Sequence, residues 1–269
     1  DSYGSVVGVI NPKAKYKVVI EAHADEISWF VHYINPQGFI YLRRNGGSDH
    51  QIAPSKRVVI HTDKGLVTGL FGWPAIHTRT PSKEETPKVK NLFLDVGAKD
   101  AKEVEKMGIH VGCVVTYPDE FMILNKKWYV GRALDNRAGG FMIAEVARML
   151  KENKVKLPFG LYITNSVQEE IGLRGAQMIA ERIKPDVAIV TDVCHCTHTP
   201  MLNKIETAKK LIKDIVKSLN IFFINLGLFL PLTLYKSRGA FLGVLIYVLY
   251  ELYPVRRFSG WLSVRRFYG

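Results

Sequence analysis

Glu169 and Glu170 stand side by side in Asn165-Ser166-Val167-Gln168-Glu169-Glu170-Ile171-Gly172. An apolar run, Phe159-Gly160-Leu161-Tyr162-Ile163, precedes them and reads as a buried strand of a parallel sheet. A glycine and a helical pattern follow. The pair therefore falls where a strand gives way to a helix, the usual ligand crevice of an open α/β sheet. Adjacent carboxylates repel each other there and lose hydration, and a metal ion is the obvious group to hold their charge. Most Glu-Glu pairs are solvated surface, so this one gains meaning only from what else reaches the same edge.

Three other stretches reach it. Tyr16-Lys17-Val18-Val19-Ile20-Glu21-Ala22 reads as a strand and delivers His23-Ala24-Asp25-Glu26 at its end. A ring nitrogen with an acid two residues on suits metal chemistry, because the carboxylate can orient or polarise the site. Alone, His-x-Asp is more often structural. Asp135-Asn136 opens a long amphipathic helix with Phe141, Met142, Val146, Met149 and Leu150 near one face. Taken singly, that pair reads as a helix N-cap. Pro185-Asp186-Val187-Ala188-Ile189-Val190-Thr191-Asp192 is another buried-strand pattern ending in a carboxylate. His23, Glu169-Glu170 and Asp192 thus follow three strand ends while Asp135 opens a helix, and in a parallel sheet these points converge on one edge. Mixed histidine and carboxylate ligands suit zinc, cobalt or manganese rather than a structural thiolate site.

The elements that must position these residues are legible in outline. Residues 4–10 and 16–22 read as strands, and 27–34 with 38–43 as a hairpin turning at Asn35-Pro36-Gln37-Gly38. From about residue 50 to 129 the texture changes to short β-like runs at 57–61, 66–71, 92–96, 112–117 and 120–125. A polar segment over 80–88 interrupts them, and a helical turn over 99–107 ends at Gly108. His50, His61, His77 and His110 lie in this block without ligand-like spacing. A further helix is expected over 172–183. The fold class is α/β: a mainly parallel central sheet flanked by helices, with a small β-rich domain inserted. The boundaries are 1–48 and 130–204 for the main domain, 49–129 for the insertion and 205–269 for an atypical apolar, basic tail.

With 269 residues, 47% of them hydrophobic and 23% charged, the chain can bury a sizeable core. Seven of the twelve net positive charges come from residue 205 onward, where ten Lys and Arg face three acids. Before that point no basic stripe is interleaved with aromatics, so a nucleic-acid partner is not expected. Three cysteines, Cys113, Cys194 and Cys196, make no disulfide framework. With an N-terminal sequence, Asp1-Ser2-Tyr3-Gly4, that has no signal pattern, they fit a reducing cytoplasm.

Four motifs together resemble the dinuclear-metal aminopeptidases of the tetrahedral (TET) or glutamyl-aminopeptidase type, some of which once carried the name cellulase. They are Ala22-His23-Ala24-Asp25-Glu26-Ile27, Gly131-Arg132-Ala133-Leu134-Asp135-Asn136-Arg137, Val167-Gln168-Glu169-Glu170-Ile171-Gly172 and Thr191-Asp192-Val193. Their order and spacing match over about residues 1–204. The resemblance implies two divalent metal ions, zinc or cobalt, bridged by Asp135. His23 and Asp192 complete the protein ligands of one ion and Glu170 binds the other. Glu169 is then the general base and Asp25 a partner behind His23. The resemblance also implies a peptide substrate with a free N-terminus, and a homo-oligomer in which dimers assemble into a hollow dodecamer through the inserted domain.

The chain departs from that pattern in two places. The family begins with a helical segment before the first strand, and it supplies one more histidine ligand well downstream of the Asp192 position. Here all eight histidines lie at or before His198. His195 and His198 are not ligand positions in the family; Cys194, His195 and Cys196 could bind a soft metal, but small buried cysteines are the plainer reading. Beyond Lys204, Ser218 to Tyr235 is an uncharged run of 18 residues and Gly239 to Tyr250 one of 12. Three readings of that tail compete: a membrane anchor, a buried helical layer, and the one favoured, a reading-frame change or truncation that replaced the native end. The activity expected is metal-dependent aminopeptidase, impaired if the second ion lacks its histidine. The rivals are a catalytically inactive assembly or binding module and a deacylase of small N-acyl substrates.

Overall fold

The computed structural model describes residues 1–80, 86–193, 196, 199, 200, 203, 205 and 206. The tail beyond Glu206 lies outside the described residues, as do Cys194, His195, His198 and most of the polar segment over 80–88. The chain opens with β1 (Val6–Ile10) and β2 (Lys17–His23). It then forms β3 (Ser28–Ile34), β4 (Ile40–Asn45), β5 (Arg57–Thr62), β6 (Gly65–Gly72), β7 (Phe93–Asp95), α1 (Ala101–Lys106) and β8 (Val114–Thr116). A ribbon of β9 (Met122–Leu124) and β10 (Trp128–Val130) leads back to α2 (Leu134–Glu152), β11 (Gly160–Ser166), α3 (Arg174–Ile183) and β12 (Val187–Val190).

Strand β2 is the axis of the first layer system. It pairs in parallel with β11 on one side and β12 on the other, and β1 adds antiparallel outside β11. The sheet is thus mainly parallel. Apolar residues stand on both faces of β2, as a doubly covered strand requires. Val18, Ile20 and Ala22 meet Ile143, Val146 and Leu150 of α2 on one face, and Val19 meets Ile179 and Ile183 of α3 on the other. Parallel strands of one sheet need a long crossover connection, and α3 makes the one from β11 past β2 to β12.

The second system is a closed barrel in the order β3-β4-β7-β6-β5-β8, with every neighbouring pair antiparallel. Trp29, Phe71, Ile60, Leu92 and Leu94 fill it, with Val104 of α1 packed into the same core. The Trp29 and Phe71 rings meet edge to face at 5.4 Å.

Three expectations are corrected. The barrel begins at Ser28 rather than at residue 49, and its last strand ends at Thr116; the 120–125 run joins a separate ribbon. Turn residues reveal that a hairpin exists but not which sheet will pair with it. On α2, Phe141 and Met149 are exposed, and the buried stripe is Asn136, Gly139 and Ile143, continued by Val146 and Leu150. The helix carries apolar residues on more than one face, so spacing alone could not choose the stripe. Strand β12 is only half-buried and ends at exposed Val190, because among the described residues it pairs on one side only.

Helix α3 is seated directly on the loop that carries the two glutamates. A Cβ added at Gly175 would lie 2.2 Å from the carbonyl oxygen of Val167 and 2.7 Å from its nitrogen. Backbone atoms cannot yield as a flexible side-chain end does. Gly175→Ala is expected to cost about 1–3 kcal/mol, measured by urea denaturation of the two chains.

Candidate metal centre

His23 is the last residue of β2 and is 2% exposed. Its Nδ1 lies 3.0 Å from the backbone carbonyl of Asp25. A carbonyl can only accept, so the proton sits on Nδ1 and Nε2 is left for the site. From Nε2, Asp135 Oδ1 is 2.9 Å away and Glu169 Oε2 3.8 Å. One ligand atom each from His23, Asp135 and Glu170 lies within 4.8 Å of the other two. Asp192, two residues past β12, faces the same group: burial raises its carboxyl, against the hydrogen bond from the Val193 N–H, and the charge of Asp135 adds to the rise. The sheet edge thus brings together His23, Asp135, Glu169, Glu170 and Asp192. This donor set fits divalent cations: one imidazole and several carboxylates converge, and the protein supplies too little positive charge to balance them.

Asp135 precedes the regular part of α2. Ala133 turns left-handed at φ 59°, Asp135 and Asn136 have non-helical dihedrals, and the peptide bond between them is cis. The helix cap is Asn136 rather than Asp135. Its Oδ1 accepts from Gly139 N–H at 3.0 Å, and its Nδ2 donates to the Thr191 carbonyl at 2.6 Å. One buried side chain therefore starts the helix behind Asp135 and anchors the residue before Asp192. Gly139 is required by close approach, since a Cβ there would lie 2.3 Å from Asn136 Oδ1.

The connection from β2 to β3 ties the remaining segments together. Ala24 N–H donates to the Ser166 carbonyl at the end of β11 (2.6 Å). The Asp25 carboxylate stands 3.6 Å from His23 Nδ1. Its Oδ1 accepts from Glu169 N–H at 3.0 Å and its Oδ2 from Glu170 N–H at 3.1 Å. Asp25 thus meets His23 through its backbone carbonyl and, at 3.6 Å, its carboxylate, whose hydrogen bonds go to the glutamate amides. Glu26 lies 3.1 Å from Arg132 Nε and 3.4 Å from Arg137 Nη2, the two arginines that flank Asp135 in sequence.

One functional-site neighbour was missed by sequence reasoning. Glu21 is buried and contacts the Ser166 hydroxyl. Strand alternation puts Val19, Glu21 and His23 on one face, so an acid two residues before the histidine in an otherwise apolar strand was the available signal. Burial pushes the Glu21 carboxyl above its ordinary value, against the hydrogen bond from Ser166.

The other shifts follow from burial and crowding. Burial and then repulsion from Asp135 and Glu169 push Glu170 up to about 7. Burial also raises Glu169, helped by Asp192, Asp135 and Asp25 against the attraction of His23. For His23 burial opposes the charged ring, but the Asp135 hydrogen bond and the charges of Glu169, Asp135 and Asp192 outweigh it and push it up to about 9.

The chain thus combines an α/β sheet whose carboxyl edge gathers a histidine and carboxylates with a barrel that follows the strand ending in His23. Residues 4–214 match the M42 glutamyl aminopeptidase family, and the chain belongs to it. The lysyl aminopeptidase of Pyrococcus furiosus is 30% identical over 224 residues, which is 82% of this chain and 63% of that protein. A TET aminopeptidase structure from a marine-sediment Thaumarchaeota archaeon superposes with a TM-score of 0.71 at 31% identity, covering 74% of this chain and 56% of that one. PhTET1-12s, a dodecamer in its asymmetric unit, superposes with a TM-score of 0.66 at 25% identity over 75% of this chain and 59% of its own. The chain spans less than two thirds of the length of each.

The His23 and Glu170 shifts have the same sign for stability. Folded His23 holds its proton up to about 9 against an ordinary 6.5, so its stabilisation is complete below 6.5 and is lost as pH rises through 9. Folded Glu170 holds its proton up to about 7 against 4.5, so ionising it costs stability as pH rises from 4.5 to 7. The Tm of the chain in chelator is therefore expected to fall as pH rises through this window. Excess cobalt reverses the trend, because the ion competes with those same protons. Calorimetric scans with and without Co2+ check both arms.

Proposed function

We propose that the chain is the catalytic part of a two-metal aminopeptidase, which removes the N-terminal residue of a peptide by hydrolysis. The observation that carries this reading is the convergence of His23, Asp135 and Glu170 with Glu169 beside them. Membership of the M42 family and likeness to proteins named aminopeptidases support it. In this reading His23, Asp135, Glu170 and Asp192 would hold two divalent ions, zinc or cobalt. Bound there, such ions lower the pKa of a coordinated water and stabilise the developing oxyanion.

The chain's own residues do the rest. Glu169 lies within reach of the same point and is not needed as a ligand, so its carboxylate is free to take a proton from the attacking water. It then passes that proton to the leaving amine, and the carbonyl carbon keeps the oxygen of the water. Repulsion from Asp192, Asp135 and Asp25, on top of burial, raises Glu169 and makes it a better proton acceptor than an exposed glutamate. The Asp25 carbonyl keeps His23 in the Nδ1-protonated form, which presents Nε2 to an ion.

The assembly proposed is a homo-oligomer, a dodecamer on the likeness to PhTET1-12s; construction through the inserted domain, dimers first, is what the motif resemblance implies. A cytoplasmic setting rests on the cysteine pattern. Among the described residues no helix is long and apolar enough to cross a membrane.

Hydrolysis of aminoacyl-anilides with added Co2+ or Zn2+ tests the reading. Glu169→Gln is expected to retain the ions and lose about 100- to 10,000-fold in kcat, and Glu170→Gln to lose ion affinity as well. Free peptides are expected to be cleaved and N-acetylated ones spared. Cleavage of the acyl group from the blocked substrates would instead identify a deacylase. Fewer than two ions bound and no turnover at any metal concentration would identify an inactive assembly module.

A further inference from the structure

Asp25 has a carboxylate that the proposed chemistry does not consume, and its surroundings are specific. Gln168 takes a left-handed conformation at φ +63°, immediately before the two glutamates. A left-handed residue next to ordinary ones turns successive N–H groups to the same side and makes a small anion-binding concavity. Here the two N–H groups are those of Glu169 and Glu170, and the anion in the concavity is Asp25, one oxygen to each at 3.0 and 3.1 Å. The rest of the loop is closed by its own backbone: Gly172 and Leu173 donate to the Glu169 carbonyl, Arg174 to Gln168 and Gly175 to Val167. No bond of that backbone set uses the Glu169 or Glu170 amides. The His23 Nδ1 hydrogen-bonds to the Asp25 carbonyl at 3.0 Å, and the Asp25 carboxylate stands farther from it, at 3.6 Å.

We infer that the side chain of Asp25 is a positioning residue for the glutamate pair: it clamps the two consecutive amides and so fixes the directions in which the Glu169 and Glu170 carboxylates leave the backbone. The Cα–Cβ vectors of adjacent residues point to opposite sides of an extended chain. Only a fixed turn lets one carboxylate serve as base while its neighbour reaches an ion. Charge-assisted bonds to both amides supply that fixity. The consequence for ion binding rests on the metal-centre reading above; the clamp itself does not.

The experiment uses the full chain, isotopically labelled, with metal-free and Co2+-loaded samples compared by NMR and calorimetry. In Asp25→Asn, one amide faces a donor instead of an acceptor and the charge is gone. Amide exchange at Glu169 and Glu170 is expected to speed up by about tenfold or more, with the His23 Nδ1–H resonance unchanged. Co2+ affinity is expected to fall about 10- to 100-fold, the usual cost of losing a partner behind a ligand. Unchanged exchange at both amides with a displaced His23 resonance would overturn the inference in favour of a carboxylate that acts on the imidazole. Faster exchange with unchanged affinity would overturn the positioning role. In the unsubstituted chain, couplings across the hydrogen bonds from the Glu169 and Glu170 nitrogens to the Asp25 carboxyl carbon are expected. Their absence overturns the clamp even if the variant does not fold. None of these readouts involves turnover, so an inactive chain can still pass and an active one can still fail.

Discussion

Like charge is crowded onto the carboxyl edge of the sheet, and that repulsion sets the terms for everything around it. Asp135 and Glu169 stand 2.9 and 3.8 Å from His23 Nε2, Glu170 joins His23 and Asp135 within 4.8 Å, and the charge of Asp135 reaches Asp192. Burial raises the pKa of several of these groups. Side chains under such repulsion will turn outward to water unless their backbones are held. The structure holds each backbone from behind with bonds that do not use the carboxylates themselves: Asn136 for the Asp135 and Asp192 segments, and Asp25 for the Glu169-Glu170 segment. The side chains of Asp135, Glu169 and Glu170 are thereby left to face His23 and one another, while Asp192 Oδ1 accepts from the Val193 N–H at 2.7 Å. An arrangement unfavourable to the empty chain is one a divalent cation can exploit.

Strand β2 is what makes a common edge possible. It lies between β11 and β12, all three parallel, so three chain segments end their strands within two residues of one level. Ser166 pairs with His23 in register, which puts the start of the glutamate loop beside the histidine. Buried apolar residues on both faces of β2 fix its depth between α2 and α3. Glu21 interrupts that apolar run, on the same face as His23 and in contact with Ser166, so even the strand interior carries acid toward the site.

Much of this was legible in the residues, and what was not has a physical reason. The convergence of His23, Asp135, Glu169, Glu170 and Asp192 could be anticipated because strand ends and helix starts are local signals, and a parallel sheet aligns them. The division of labour within Asp135-Asn136 could not. Both residues are good caps, and only the approach of the Thr191 carbonyl from a distant segment selects Asn136. Asp25 is similar: proximity in sequence suggests that its carboxylate serves His23, yet the amides that take it come from residues more than 140 positions away. The ownership of the β3–β4 hairpin, and the choice of stripe on α2, likewise depend on partners that periodicity does not name.

Those non-local partners also explain how a barrel can be inserted next to the candidate metal site without loosening it. The chain leaves the sheet through only Ala24, Asp25, Glu26 and Ile27 before the barrel starts at Ser28. It returns past Tyr117 and the β9–β10 ribbon to Arg132 and Asp135. Both crossings lie against the site, and they are joined. Glu26 of the outgoing segment pairs with Arg132 of the returning one, and Arg132 Nη1 also donates to the Tyr117 carbonyl at 2.7 Å. Arg137 closes the same ion pair from the other side of Asp135. The pair of acids at the end of His23-Ala24-Asp25-Glu26 thus divides its work. Asp25 holds the glutamate loop and Glu26 holds the aspartate segment, so a displacement of the barrel relative to the sheet must strain one clamp or the other before it reaches the histidine.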